Sequence, residues 1–370
     1  MLFKKLFGAG IFMLCLSGIS PLFSQYEFNT EKKVNCTEVK NQARTGTCWS
    51  FATASFLESE LIRMGNKDIN LSEMYIVRNI YKDKAMNYLL RQGKANFSQG
   101  SLSHDLMRMV DHVGVMTEDA YDGLTEDDTY HDHSEMENGL KGFLDGVRKS
   151  EVLSHKWTKA FAAILDSYMG EVPEQFEYKG EEFTPQTFKE KLNINPDDYV
   201  SLTSFTHHPF YEEFILEIPD NYSNGAYYNL PLSELMSIID YALLAGYSVA
   251  WDGDVSEKGF SAGNGLAILP QNANREDLFN KPGKEKEVTQ EKRQSAFESY
   301  ATTDDHLMHF VGIATDQKGT KYYITKNSWG EISDYNGYLY MSEPYTMMKT
   351  VAIMVHKDAI PEAIAKKIFN

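Results

Sequence analysis

The sequence predicts an α+β protein that folds as one two-lobed unit, with a helical lobe followed by a sheet-rich lobe. The chain has 370 residues and is 42% apolar, which suffices for a large core. The helical lobe is predicted because apolar residues recur at helical spacing after Cys48, at Ala54, Leu57, Leu61 and Met64. The sheet-rich lobe is predicted from strand-like apolar runs at 307–315 and 320–326.

The other elements follow from the same patterns. The first helix should end near Gly65, a second helix should span 102–114, and a third should span 231–244 with Gly246 as its cap. Strands are predicted within 247–255, 307–315, 320–326 and 337–355, and the polar segment 272–293 should be an exposed connection. The helical lobe is thereby placed at about 45–245, and the β-rich lobe at about 25–44 and 246–370.

Residues 1–24 have the pattern of a secretory signal peptide. Lys4 and Lys5 precede an apolar run at 11–19, which is too short to span a membrane, and cleavage is expected after about Ser24. We therefore expect an exported protein, periplasmic or extracellular, with no stable membrane insertion once the signal is removed. Cys15 follows Phe12-Met13-Leu14 rather than small residues, so lipid attachment is not expected.

Composition bears on possible partners. The formal net charge is −17 at pH 7, and no basic stripe interrupts the acidic chain. Nucleic acid binding requires Lys and Arg against phosphate, so no nucleic acid partner is expected. The acidity is typical of a soluble surface.

The run from Asn41 to Ala52 carries the first chemical signal. It places Gln42 six residues before Cys48, which begins the first predicted helix. A helix N-terminus favours a thiolate over a thiol, and a nearby glutamine amide can join the Cys48 N–H in binding an oxyanion. A buried structural thiol is the alternative for a lone cysteine.

The second signal lies near the C-terminus. His306 enters one strand-like run, and Asn327-Ser328-Trp329-Gly330 follows the next. A nucleophilic cysteine needs an imidazole to share its proton, and the imidazole needs a third group to fix its tautomer. Cys48, a histidine and Asn327 supply these roles in that order, and Trp329 can cover the His–Asn bond.

Together these residues resemble the papain superfamily of cysteine peptidases. Further stretches resemble its bleomycin hydrolase/aminopeptidase C branch over about residues 34–365, namely Leu71-Ser72-Glu73-Met74-Tyr75, Ala163 to Gly170, Trp251 to Val255 and Gly337 to Met341. The resemblance implies a papain-like fold whose active site lies between a helical lobe and an antiparallel β-barrel-like lobe. It also implies that 120–235 contains a branch-specific insertion.

The resemblance assigns the site residues. The family places its histidine at the start of a strand, which selects His306; His309 would then be a packed residue, since strand side chains alternate faces. Gly100 matches a glycine that pairs with the substrate chain, although Gln99 replaces its usual neighbouring glycine. The implied activity is hydrolysis of peptide substrates by a Cys48–His306–Asn327 thiol mechanism assisted by Gln42, with no metal or cofactor.

Other expectations concern specificity and assembly. The branch carries a C-terminal tail that confers aminopeptidase specificity, and the sequence stops about where that tail would begin. An open cleft with oligopeptidase or endopeptidase activity is therefore expected beside the aminopeptidase alternative. The branch often forms hexamers, which makes a homo-oligomer a possibility. A catalytically inactive binding protein and an amidase or acyltransferase remain alternatives.

The remaining titratable motifs are given structural roles. Cys36 is expected to be a free, buried thiol, because a disulfide to Cys48 would consume the nucleophile. His131-Asp132-His133 and His207-His208 are expected to be solvated rather than metal ligands. Asp252-Gly253-Asp254 is expected to form a turn.

Overall fold

The computed structural model describes residues 26–369, so the predicted signal peptide lies outside the described residues. Ten α-helices occur within this range: α1 Cys48–Arg63, α2 Glu73–Leu90, α3 Ser103–Val113, α4 Ser134–Val147, α5 Lys156–Met169, α6 Pro185–Leu192, α7 Leu232–Ala245, α8 Gln290–Glu298, α9 Glu343–Lys349 and α10 Glu362–Ile368. No helix among residues 26–369 has the length and apolarity needed to cross a membrane.

Thirteen strands occur in the same range. They are β1 Phe28–Lys33, β2 Phe176–Tyr178, β3 Glu181–Phe183, β4 Tyr199–Thr203, β5 Glu213–Ile215, β6 Ala226–Asn229, β7 Val249–Gly253, β8 Phe260–Ser261, β9 Leu266–Ala267, β10 His306–Asp316, β11 Lys321–Lys326, β12 Tyr338–Ser342 and β13 Thr350–His356. Eleven of them form one sheet in the order β5-β6-β4-β13-β7-β10-β11-β12-β9-β8, with β1 paired to β10. Strands β2 and β3 form a separate hairpin.

The helix predictions are confirmed to within a residue or two. The helix α1 begins at Cys48, and α3 ends at Val113 where Gly114 takes a positive φ. The helix α7 ends at Gly246, whose φ of 93° suits a residue without a side chain. These boundaries follow from local signals, which explains why the sequence revealed them.

One local prediction was incomplete and another was wrong. The predicted strand region 337–355 is interrupted by α9, because Ser342 accepts a hydrogen bond from the Tyr345 N–H and a proline occupies the first turn. The predicted turn at Asp252 is instead the end of β7, where Asp252 and Gly253 pair with Leu307 and His306. The sheet overrides the turn propensity of the Asp-Gly pair.

Two apolar cores lie on opposite faces of the central strands. Leu307 of β10 belongs to the core of the helical lobe, together with Phe56 of α1, whereas Phe310 packs in the second core beside Trp251 and α7. Side-chain alternation along β10 therefore joins the two lobes. Residues 199–245, placed with the helical lobe in the sequence analysis, contribute β4, β5 and β6 to the large sheet and α7 to its core.

Candidate active site

Cys48 lies at the start of α1, where this helix packs across β10. Cys48 is 9% exposed, and the backbone N–H of Leu307 interacts with the Cys48 sulfur. The preceding residue Thr47 occupies the N-cap position but makes no side-chain capping bond. The N–H groups of the first turn are therefore not capped by that side chain, and the positive end of the helix dipole lies beside the sulfur.

His306 and Asn327 are joined directly. The distance from His306 Nε2 to Asn327 Oδ1 is 2.8 Å, and the Ser328 N–H donates to the same oxygen, also at 2.8 Å. The Ser328 amide thus fixes the orientation of the Asn327 side chain, so His306 must donate its Nε2 proton to the oxygen. This tautomer leaves Nδ1 of His306 as the basic nitrogen.

Trp329 covers this pair as the sequence analysis expected. Its ring centroid lies 4.6 Å from that of His306, at an interplanar angle of 32°. Both His306 and Asn327 are 4% exposed. Exclusion of water strengthens the hydrogen bond between them.

Gln42 is fixed by two hydrogen bonds of opposite sense. Its Nε2 donates to the Thr45 carbonyl at 2.6 Å, and its Oε1 accepts from the Ser328 hydroxyl at 2.7 Å. The backbone N–H of Gln42 also donates to the Ser328 carbonyl at 2.9 Å. These bonds hold the Gln42 amide in one orientation and leave its second Nε2 hydrogen free to donate. The sequence analysis did not assign this orienting role to Ser328.

Burial dominates the protonation of the candidate pair. It raises the pKa of the Cys48 thiol to about 12 and lowers the pKa of His306 to about 4, while the bond to Asn327 opposes the latter shift. Each direction reflects the cost of one isolated charge in a buried site. Burial thus disfavours either charge alone, whereas transfer of the proton from the thiol to the imidazole creates two opposite charges together.

His309 lies apart from these groups. It is fully buried, and its Nδ1 lies 2.9 Å from the Ser55 hydroxyl of α1. Burial and the neighbouring Lys326 ammonium hold its pKa well below the ordinary value. The structure therefore gives His309 a packed position, as strand alternation predicted.

Gly100 lies against the loop between β5 and β6, a contact that the sequence analysis did not predict. A side-chain carbon on Gly100 would come within 1.9 Å of Asp220 Oδ2, so any larger residue would displace the Asp220 carboxylate. Lys84 Nζ donates to the Gly100 carbonyl and to the Ser98 carbonyl. Gln99 connects this segment to the nucleophile loop, because its Oε1 accepts from the Gly46 N–H at 2.7 Å.

The histidine motifs differ in their surroundings. His133 is 3% exposed beside Tyr81, so the expectation that it is solvated was wrong. Burial lowers its pKa to about 4. The contact with Tyr81 of α2 places this side chain away from solvent.

His207, His208 and Glu217 form a cluster that the sequence did not reveal. Their ligand atoms lie within 4.8 Å of one another, a spacing that could hold a metal ion. Both imidazole Nε2 atoms contact the Glu217 carboxylate, at 3.1 and 2.8 Å. Gln294 Nε2 lies 3.1 Å from His207 Nδ1, which assigns the His207 proton to Nε2 and favours a hydrogen-bonded cluster.

The two cysteines within the described range are free, as predicted. Cys36 is half-buried rather than fully buried, and its sulfur lies 3.3 Å from the Tyr338 hydroxyl.

Comparison with known proteins identifies the family. The family described as Peptidase C1-like matches residues 161–370, and the papain family of cysteine proteases matches residues 24–181. The structure is similar to that of PepW from Lactobacillus rhamnosis, with a TM-score of 0.71 and 20% identity over 92% of this chain and 85% of that one.

Curated relatives are distant but nearly full-length. Aminopeptidase C of Lactobacillus delbrueckii subsp. lactis is 22% identical over 96% of this chain and 87% of the relative. Aminopeptidase E of Lactobacillus helveticus is 24% identical over 90% of this chain and 84% of the relative. The mitochondrial cysteine proteinase 1 of Saccharomyces cerevisiae is 23% identical over 92% of this chain and 79% of the relative. The chain belongs to the Peptidase C1-like family, and it is a papain-like cysteine peptidase.

Proposed function

We propose that this protein is an exported peptidase that cleaves peptide bonds by acyl transfer to Cys48. The observation that carries the proposal is the His306–Asn327 hydrogen bond, which leaves Nδ1 of His306 free. His306 lies on β10, and the next residue of this strand, Leu307, contacts the Cys48 sulfur through its backbone. A thiol with an oriented imidazole beside it is the arrangement that nucleophilic catalysis requires.

In the first step the Cys48 proton passes to His306 Nδ1, and the sulfur attacks the carbonyl carbon of the substrate. The resulting oxyanion accepts hydrogen bonds from Gln42 Nε2 and from the Cys48 N–H. The tetrahedral intermediate collapses when His306 donates its proton to the departing amine, leaving a thioester.

In the second step His306 removes a proton from water, which attacks the thioester carbonyl. The second tetrahedral intermediate releases the carboxylic acid and restores the Cys48 thiol. Asn327 retains the Nε2 proton of His306 throughout, so the imidazole presents Nδ1 in both steps. The candidate groups therefore supply a complete hydrolytic cycle with a peptide as substrate.

The experiment that tests this function is a peptide-library digestion with Cys48→Ala as the control. We expect cleavage of peptides by the wild-type protein, stoichiometric labelling of Cys48 by a thiol-directed electrophile, and loss of both in the variant. Cleavage that persists in Cys48→Ala would disprove the thiol mechanism. Turnover of non-peptide amides alone would favour the amidase alternative, and no turnover with no labelling would favour the binding-protein alternative.

Specificity within the peptidase class is part of the proposal. The relatives named aminopeptidases support action on peptide N-termini. Parallel cleavage of free and N-acetylated peptides separates this from endopeptidase activity, because only an aminopeptidase requires the free amine.

Export is proposed from the sequence pattern of residues 1–24. Cell fractionation and N-terminal sequencing of the mature protein test it, and we expect a new N-terminus near residue 25. A cytoplasmic protein that retains Met1 would contradict export.

A further inference from the structure

Three carboxylates from distant parts of the chain converge near Cys48. Asp252 lies at the end of β7 with its Cα opposite that of Leu307, Asp304 lies two residues before His306, and Asp220 lies in the loop between β5 and β6. Each of the three acts electrostatically on the Cys48 thiol and opposes its ionisation. The candidate nucleophile therefore lies beside a concentration of carboxyl groups.

Two of these carboxyl groups lack a nitrogen or hydroxyl donor. Asp252 is 4% exposed and its carboxyl group interacts with that of Asp304, but no N–H or hydroxyl among the described residues donates to either Asp252 oxygen or to Asp304 Oδ2. Burial, together with the charge of Asp220, raises the pKa of Asp304 to about 7. Buried carboxyl oxygens are ordinarily hydrogen-bonded, so these oxygens have unused capacity for a donor.

One protein cation lies near the three carboxylates, and it is already engaged. Lys84 acts electrostatically on Asp220 and Asp304, but its ammonium donates to the Ser98 and Gly100 carbonyls. Two further acids, Asp105 and Asp305, add negative charge to the surroundings. The cluster is consequently short of positive charge.

Open space lies beside Asp304 and next to the residue that precedes Asp220. The Asp220 carboxylate lies against Gly100, where Asn96 Nδ2 holds its Oδ1 at 3.1 Å. A cavity of about 430 Å³ continues from Pro219 to Asp304 and is lined on one side by Phe297. This cavity is large enough for an extended side chain or a peptide N-terminus.

We propose that Asp220, Asp252 and Asp304 form a subsite that binds a positively charged group of the substrate beside Cys48. The group is an ammonium or guanidinium, supplied either by the peptide N-terminus or by a Lys or Arg side chain. This inference rests on the proposed peptidase function and specifies its substrate class. A charge-assisted hydrogen bond in such a site corresponds to a preference of about 10- to 100-fold in kcat/KM.

The test compares four fluorogenic dipeptide substrates that differ in charge. Acetyl-Ala-norleucine-aminomethylcoumarin is neutral, its unacetylated form adds an α-ammonium, the acetyl-Lys analogue adds a side-chain ammonium, and the acetyl-Glu analogue adds a negative charge. We expect at least one cationic substrate to exceed the neutral one by about tenfold or more, and the acetyl-Glu analogue to be the poorest. The preferred cationic substrate identifies the source of the charge.

The variants Asp220→Asn and Asp304→Asn should each lower the cationic-to-neutral ratio of kcat/KM by about tenfold. Glu174→Gln is the matched control, because it removes one exposed carboxylate from the segment between α5 and β2 and should preserve the ratio. Equal cleavage of neutral and cationic substrates by the wild-type protein would overturn the subsite while leaving the peptidase function intact. An unchanged ratio in both Asn variants would also overturn it.

A second measurement decides the matter if no peptide is cleaved, an outcome that would count against the proposed function itself. Cys48 is modified with cationic, neutral and anionic methanethiosulfonates in a Cys36→Ser background. Faster reaction of the cationic reagent in the wild-type site, lost in Asp304→Asn, supports the subsite. Equal rates for the three reagents overturn it.

Discussion

Replacement of Gln42 by alanine tests the proposed oxyanion site. In the folded protein one Nε2 hydrogen of Gln42 is used by the Thr45 carbonyl, at 2.6 Å, so one hydrogen is left for the substrate. The Ser328 hydroxyl, 2.7 Å from Oε1, prevents the amide from turning over. The substitution therefore removes one positioned donor and leaves the other catalytic groups in place.

The expected loss follows from the value of such a donor. Removal of one oxyanion donor costs about 2.7–4 kcal/mol in the transition state, which is a 10²- to 10³-fold decrease in kcat. Loss of the two hydrogen bonds that hold Gln42 should cost about 0.5–1.5 kcal/mol each in stability. Ser328→Ala loosens the amide without removing it, so it should lower kcat by only about 2- to 10-fold.

The assay is steady-state hydrolysis of the best peptide substrate, with Cys48 labelling and thermal unfolding measured alongside. Gln42→Glu is the companion variant, because glutamate has nearly the same shape as glutamine but carries a carboxylate. The carboxylate cannot donate a hydrogen bond to the oxyanion, and its negative charge repels it. It should be no more active than Gln42→Ala. A kcat within threefold of wild type in either Gln42 variant, with Cys48 still labelled, would refute the assigned role.

Three further substitutions test other parts of the structure. Asn327→Ala removes the acceptor that orients His306 and should lower kcat about 100-fold with little change in KM; an unchanged kcat would contradict the orienting role. His309→Leu should reduce the melting temperature while kcat stays within a few-fold of wild type, whereas His306→Ala should abolish turnover; equal losses would show that His309 takes part in catalysis. Lys349→Met leaves Asp254 buried without its cation, 3.3 Å away in the folded protein, and should cost about 3–5 kcal/mol in urea unfolding; a loss below 1 kcal/mol would show that the pair is not needed.

Local sequence signals predicted three of the helices, α1, α3 and α7, whereas the candidate site residues were assigned through the family resemblance. The start of α1 at Cys48 and the end of α7 at Gly246 depend on neighbouring residues, which a pattern can reveal. Strand alternation indicated that His306 and His309 face opposite sides of the sheet, and the family pattern then selected His306. The α+β class was likewise predictable, because helical and strand-like patterns occupy different parts of the chain.

Long-range packing decided the remaining features. The extension of β7 through Asp252 depends on pairing with β10, whereas the start of α9 follows from a local cap at Ser342 that the sequence analysis did not use. The orientation of Gln42 depends on Ser328, which lies 286 residues away in the sequence. No local pattern encodes such a distance.

The sequence by itself determined which residues could perform thiol chemistry, because Cys48, His306 and Asn327 carry that capacity in their side chains and their motifs. Only the tertiary structure decided their surroundings. It buried Cys48 and His306, oriented the Asn327 amide and brought carboxylates from separate segments beside the nucleophile. The physical reason is that burial and charge density are properties of the packed chain, whereas chemical reactivity begins with the residue type.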